Sequence, residues 1–388
     1  MRIAYISLSV FADCDIPLIN ALSEKGIDVT YYLIMSDNNK QGTIINVDNL
    51  KPEARVYPAS EYPALRPLGE LTDLRRMRIV NMPVAHNYSW KSFVLAHRLK
   101  KELKNGGFDI VHFTWPFDYC FFELYGLDIP MLHTVHDPIP HSSDDKFIYN
   151  MQRWAAMRNA DYFMLLNTTQ KKLFKERYSI TEDRIFDSKL SIYSHLLSHR
   201  AVKPLYNKPY ILFIGSINPH KGIKYLCRAM EDVSRSDKDL QLVIAGKGTF
   251  DFDIRKYTDR GYVKVINRFI EVQELVSLLR YSRFVCCPYT DATQSGVVMS
   301  AFALCKPVLV TRVGALHETV EDGRHGLMVA PRDSHALSEA IIRMNDDQRL
   351  EAMSENIRQD YHLGNRSWDA QADKLIENYK LIIKKGTI

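Results

Sequence analysis

Residues 211–230 read ILFIGSINPHKGIKYLCRAM (Ile211–Met230), and the way this stretch divides decides the fold. Tyr210–Gly215 is a short apolar run of strand length. Gly215 and Gly222 bracket a polar turn, and Lys221–Val233 carries apolar residues at helical spacing. A strand, a glycine turn and a helix in succession form the opening of a βαβ unit. The rhythm continues downstream, with strands expected at Leu240–Gly246, Tyr262–Ile266, Arg283–Cys287 and Pro307–Thr311. Helices are expected at Val272–Arg280, at Ser295–Leu304 and after Asp333.

The upstream half repeats the pattern. Arg2–Leu8, Ile27–Met35, Asp109–Thr114, Met131–Val135 and Asp161–Asn167 read as strands, and Ile16–Lys25 as a helix stopped by Gly26. Thr168 reads as the N-cap of a helix running to Tyr178. Residues 36–88 are irregular and proline-bearing, and no element is assigned there. His195–Lys208 has no period and reads as a linker. The expectation is α/β, with two Rossmann-like domains over 1–200 and 201–365. A long helix over 366–388 either crosses back to the first domain or docks on its own.

Composition narrows the function. Of 388 residues, 51 are Lys or Arg and 46 are Asp or Glu, a net charge of +5, which gives no electrostatic footprint for nucleic acid. Six scattered cysteines without a CxxC pair read as reduced thiols, and no apolar run reaches membrane-span length. The apolar stretch after Arg2 is followed by Asp13–Cys14–Asp15, not by a cleavage site, so a cytoplasmic location is expected, extending to the inner face of a membrane.

Three motifs in order, Ile211–Met230, VIAGKG (Val243–Gly248) and the run from Pro288 to Val329 with TQSGV (Thr293–Val297), resemble the retaining nucleotide-sugar glycosyltransferases of family 4, specifically the branch with a TQSGV loop. In the first half the resemblance rests on DIVHF (Asp109–Phe113) and TVHDPIP (Thr134–Pro140). It implies a GT-B fold, with the first domain on the acceptor side and the second on the donor side. By resemblance, Lys221 neutralises the donor diphosphate and His136 contacts the donor sugar; Gly215, a glycine at a strand end, lets a bulky ligand approach the backbone. Independently of the resemblance, a lysine in the first turn of a helix is at the wrong end for the dipole unless an anion lies there. The Thr293–Gln294–Ser295–Gly296 loop precedes a helix whose free N–H groups can cradle phosphate, and Thr293 or Ser295 can equally cap it.

The sequence also departs from the family. Where relatives carry an arginine after the strand glycine, this chain has Ser216, with Arg268 or Arg312 as the expected substitute cation. The family's two glutamates fall on Ala292 and Ser300, leaving Asp291 as a partial replacement. The glycine pair after the first strand is absent from Ser9–Asp13. His112 and His133, inside strands, read as structural. No metal site and no cofactor are expected, the nucleotide-sugar being a substrate, and no His/Asp/Glu cluster shows ligand spacing. Lys91–Asn105 reads as a basic amphipathic helix with Phe93, Ala96, Leu99 and Leu103 on its apolar stripe. It is either a solvated face or a peripheral membrane contact.

The expected function is a metal-independent transferase. It moves a sugar from a nucleotide-sugar donor to a glycan or lipid-linked acceptor with retained configuration, in cell-surface polysaccharide biosynthesis. The alternatives are a degenerate nucleotide-sugar-binding subunit or a GT-B epimerase. A Rossmann oxidoreductase is disfavoured because Ser7–Asp15 contains no glycine.

Overall fold

The computed structural model describes residues 1–83, 89–139, 147–202, 206–292 and 295–386. Two compact units result: Met1–Leu190 with Trp368–Ile388, and Ser191–Ser367.

The first unit contains strands β1 (Arg2–Leu8), β2 (Asp28–Ser36), β3 (Arg55–Pro58), β4 (Met77–Met82), β5 (Ile110–Phe113), β6 (Met131–Val135), β7 (Tyr162–Leu165) and β8 (Ile185–Asp187). Its helices are α1 (Ala12–Glu24), α2 (Trp90–Asn105), α3 (Phe147–Asn159) and α4 (Lys171–Tyr178). The sheet order is β3-β4-β2-β1-β5-β6-β7-β8, parallel except for β3, which runs antiparallel to β4. Alternation along β1 sends Ile3 and Tyr5 to one apolar layer and Ala4 and Ile6 to the other. α1 covers the first layer, while α2, α3 and α4 cover the second.

The second unit holds β9 (Tyr210–Ile214), β10 (Gln241–Ala245), β11 (Val263–Ile266), β12 (Val285–Cys287), β13 (Val308–Thr311) and β14 (Gly326–Val329). Its helices are α5 (Ile223–Ser236), α6 (Arg255–Thr258), α7 (Val272–Tyr281), α8 (Gly296–Ala303), α9 (Leu316–Thr319), α10 (Ser334–Met344) and α11 (Asp347–Ile357). The order β11-β10-β9-β12-β13-β14 is wholly parallel. The final helix, α12 (Trp368–Gly386), packs in the first unit, where Ala372, Leu375, Tyr379 and Ile382 join the apolar layer of α1.

Several local expectations need correction. α1 starts at Ala12, not Ile16, because a 3-10 turn at Ser9–Phe11 feeds it directly. α4 starts after Gln170 rather than Thr168, whose carbonyl instead closes a turn with the Lys171 N–H. The 195–208 stretch is no bare linker: Ser194–Ser198 forms a 3-10 turn that buries His195 and Leu196 in the second unit. α2 buries Leu95, Ala96, Leu99 and Leu103, whereas Phe93 faces solvent. All six cysteines are free thiols.

Candidate functional site

In the second unit, chain order reverses at β9, which lies between β10 and β12. The carboxyl ends of two such strands leave a crevice where α/β sheets bind ligands. Gly215 follows β9, and Pro288–Tyr289 follow β12. A 3-10 turn, Pro219–Lys221, folds into this crevice and is terminated by Gly222 at φ 67°. A Cβ at Gly222 would lie 1.9 Å from the Pro288 carbonyl oxygen, so only glycine lets the turn press against this strand end. The contact is completed by the Thr290 N–H, which donates to the His220 carbonyl at 2.8 Å.

Its consequence is the position of Lys221. The ammonium sits 3.9 Å from the centroid of the Tyr289 ring. Burial pulls the pKa of the amine down, and the neighbouring Cys287 offsets this only in part. No carboxylate pairs with it among the described residues. Lys221 therefore precedes α5 rather than lying in its first turn, because the left-handed Gly222 separates them. A desolvated ammonium held over an aromatic face with no counter-charge is costly on its own and well placed for an incoming anion.

α8 supplies the other half. Ser295 caps it, accepting from the Val298 N–H at 3.4 Å, and shares a 3.2 Å hydrogen bond with the Tyr289 hydroxyl. Tyr193 stands against Gly296, and Val297 lies beside Gly215. Gly215, Lys221, Ser295 and Gly296 thus converge through Tyr289 on one crevice, at the positive end of α8. Gly246 backs them: a Cβ there would fall 1.8 Å from the Gly215 carbonyl oxygen, so the VIAGKG glycine serves close strand-end packing. Thr293 and Gln294 lie outside the described residues.

The remaining predicted donor residues are placed differently. Ser216 is exposed and accepts from Asn218 Nδ2 at 3.0 Å. Arg268, one of the two candidates for the substitute cation, makes a two-pronged ion pair with Glu274 at 2.7 and 2.8 Å. Arg312 is exposed at the carboxyl end of β13 and pairs with no acid among the described residues. Asp291 is exposed, and Ser300 turns its hydroxyl back onto the Gly296 carbonyl at 3.0 Å.

In the first unit the order reverses at β1, between β2 and β5. Ser7 and Thr114 are hydrogen-bonded through their hydroxyls at that edge. His136 follows β6, its ring stacked on Phe11 at 4.3 Å and 20°. Phe11 comes from the turn that lacks the family's glycines. The aromatic series continues from Phe11 to Trp115 at 5.8 Å and from Trp115 to Tyr149 at 5.4 Å. His136 Nε2 is buried without a partner among the described residues, and desolvation lowers the imidazole pKa to about 4. A small pocket opens beside it, lined also by Asp15, Thr114, Thr134, Ser188 and Gln371. Asp15 accepts from Tyr5 at 3.0 Å and Tyr31 at 3.1 Å, and burial raises its carboxyl pKa to about 7. His112 bridges Tyr379 at 2.5 Å and Thr134 at 2.6 Å, a structural role, with burial lowering its pKa to about 3.

One acidic cluster escaped the sequence. Glu321, His325 and Asp360 bring their ligand atoms within 4.8 Å of one another. Spacing could not show this, because Asp360 is distant in the chain. Arg324 clamps Asp360 at 2.7 and 2.8 Å, His325 Nε2 bonds it at 2.7 Å, and His325 Nδ1 accepts from the Glu321 N–H at 3.2 Å. The donor set is already filled by an arginine and both ring nitrogens are engaged, so the cluster fits a structural tie rather than a cation.

Comparison with known proteins gives two family matches. Residues 18–186 match the family described as Glycosyltransferase Family 4, and residues 208–347 match Glycosyl transferases group 1. An alpha-D-kanosaminyltransferase of Streptomyces kanamyceticus is 27% identical over 154 residues, spanning 39% of this chain and 40% of that protein. An uncharacterized glycosyltransferase of Methanocaldococcus jannaschii is 25% identical over 342 residues, 80% of this chain and 84% of that one. Among solved structures, sucrose-phosphate synthase from Thermosynechococcus elongatus superposes with a TM-score of 0.67 at 18% identity, covering 99% of this chain and 100% of that one. An Anabaena protein in complex with UDP-glucose gives 0.65 at 13% identity, covering 97% and 100%.

Proposed function

We propose that this glycosyltransferase family 4-like chain of GT-B fold transfers a sugar from a nucleoside-diphosphate donor to a glycan or lipid-linked acceptor, retaining the anomeric configuration. The observation that carries the reading is Lys221: an unpaired, desolvated ammonium at the switch point, beside the N-terminus of α8. Cleavage of the sugar–phosphate bond builds negative charge on the leaving diphosphate. Lys221 and the free N–H groups of Gly296 and Val297 oppose that charge without reorganising. The UDP-glucose held by the Anabaena structural neighbour fits the same donor class.

His136, on the first unit, is held as a neutral imidazole with an open Nε2 and serves as a hydrogen-bonding group for the sugar or its acceptor. Among the described residues the donor crevice offers no buried carboxylate as a nucleophile, since Asp291 is exposed. Front-side displacement with the leaving phosphate as base is therefore the mechanism proposed for retention. With lysine and amides facing the diphosphate, no divalent ion is needed for charge neutralisation, and the products belong to cell-surface polysaccharide synthesis.

A second reading has one specific observation behind it. Ser300, standing where relatives carry a glutamate, bonds its own helix and offers nothing to a ribose, which suits a nucleotide-sugar-binding subunit without turnover. Release of nucleoside diphosphate from a panel of nucleotide-sugars, with and without EDTA, separates the two. Acceptor-dependent release in EDTA supports transfer, and NMR of the product reads the anomeric outcome. Saturable binding without release in any combination would favour the subunit, and metal-restored activity after EDTA inhibition would overturn the metal-free mechanism.

A further inference from the structure

α2, α3 and α4 lie in one layer, because each contributes to the same apolar cluster: Leu95 and Leu99 from α2, Ala156 and Met157 from α3, Phe174 from α4. α2 is tied to the 3-10 segment Tyr119–Gly126 through His97–Glu123 at 3.3 Å, and α3 to its preceding residue through Gln152–Asp118 at 2.7 Å. Each helix follows a parallel strand, so the N-terminal ends of α2 and α3 reach the carboxyl edge of the sheet, the edge that carries His136.

At that edge the outward faces are apolar. Trp90 is 81% exposed and Phe93 43% on α2, and Phe147 is 80%, Ile148 49% and Trp154 55% exposed on α3. Spacings of three and seven residues place Trp90 with Phe93, and Phe147 with Trp154, on common faces. Toward the other ends the same outward faces turn basic: Arg98, Lys101 and Lys104 on α2, and Arg158 on α3, whose guanidinium lies 5.0 Å from the Trp154 ring. α4 adds exposed Lys172 and Arg177 against a single exposed acid, Glu176. Isolated exposed apolar side chains are ordinary, but five large ones on two helices of one layer, bordered by cations, are not.

We infer that this face docks on an anionic lipid bilayer, with Trp90, Phe93, Phe147, Ile148 and Trp154 entering the interface and the lysines and arginines meeting lipid phosphates. Indole and phenyl rings favour the headgroup boundary, and basic side chains add attraction to anionic leaflets. Charge complementarity chooses the occupant: a second copy of the same face would bring two sets of cations together. The surface stands on this geometry alone. Its use rests on the proposed transfer to a lipid-linked acceptor, which a bilayer here would present at the His136 edge.

The test is flotation of the full chain with phosphatidylcholine vesicles and with phosphatidylcholine–phosphatidylglycerol vesicles. Wild type should float with the anionic vesicles, less so at high salt, with a blue shift of tryptophan fluorescence. Trp90→Ala/Phe147→Ala/Trp154→Ala should lose at least about ten-fold in partitioning, and each basic residue reversed among Lys101 and Lys104 about five-fold or more. These exposed changes should leave the melting temperature and release of nucleoside diphosphate with a water-soluble acceptor intact, so loss of binding is separable from failure of the transferase reading. No flotation with anionic vesicles, or equal flotation by the triple variant, overturns the proposal. So does a concentration-dependent dimer that the triple variant abolishes, which would assign the face to a second copy.

Discussion

Lys221→Met asks whether Lys221 serves the fold or a ligand. In the ligand-free protein the lysine contributes a cation–π contact with Tyr289, worth about 0.5–2 kcal/mol, set against the cost of holding a desolvated ammonium. Methionine fills similar space, sheds the charge and keeps a sulfur–aromatic contact worth about 0.3–1.5 kcal/mol. These terms nearly cancel, so the variant should melt within about 3 °C of wild type. With nucleoside diphosphate the outcome differs sharply. At a concentration of 100 times the wild-type Kd, binding stabilises the protein by about 2.7 kcal/mol. Losing one desolvated charge partner weakens binding by about 2 kcal/mol, roughly 30-fold. The same ligand concentration then stabilises the variant by only about 0.9 kcal/mol. Thermal shift with titrated UDP and GDP should show a ligand-induced rise of about 8 °C in wild type shrinking to about 3 °C. Turnover should fall at least about 10²-fold. A variant that loses more than about 2 kcal/mol without ligand, or that keeps the full ligand-induced rise, would refute the anion-site argument.

Four further outcomes follow from the geometry. His136→Ala should reduce turnover strongly while nucleoside-diphosphate affinity, measured by calorimetry, stays within about two-fold, because Lys221 and α8 lie on the other unit; parallel losses would contradict this. Gly222→Ala, forced to φ 67° with its Cβ against the Pro288 carbonyl, should cost more than about 2 kcal/mol in urea unfolding, whereas Arg268→Ala, which removes an exposed pair with Glu274, should change stability by less than about 1 kcal/mol and nucleotide affinity by less than about two-fold. His195 is buried with both ring nitrogens unpartnered among the described residues and its pKa lowered to about 4, so the unfolded chain takes up the proton first as pH falls below about 6.5. Its share of the stability lost between pH 7 and pH 5 should be on the order of 1 kcal/mol, beside similar shares from the buried His112 and His136, and His195→Phe should make the fall shallower by that amount; an unchanged slope would show that His195 is not a source of it.

The fold was largely legible in the order of residues, because strand runs, glycine stops and amphipathic helices are local and periodic. β1, β6 and α7 fall close to their expected bounds, and Ser295 caps α8 through a contact three residues long. Gly215, Lys221 and Ser295 could be named in advance because the switch-point loops carry their own signatures. What only the tertiary structure decided depends on partners far apart in the chain. Lys221 is held over the Tyr289 ring because Gly222 fits under Pro288. His136 is stacked because Phe11 folds over it, from the loop that lacks the family's glycine pair. Asp360 reaches His325 across the second unit, a cluster invisible to spacing. Phe93 looked like core by its helical period, yet the sheet takes Leu95, Ala96 and Leu99 instead, since a period gives a stripe but not the angle at which the helix rolls onto its neighbours. Periodicity is a property of the chain alone; charge pairing, desolvation and helix roll are properties of what the fold brings alongside.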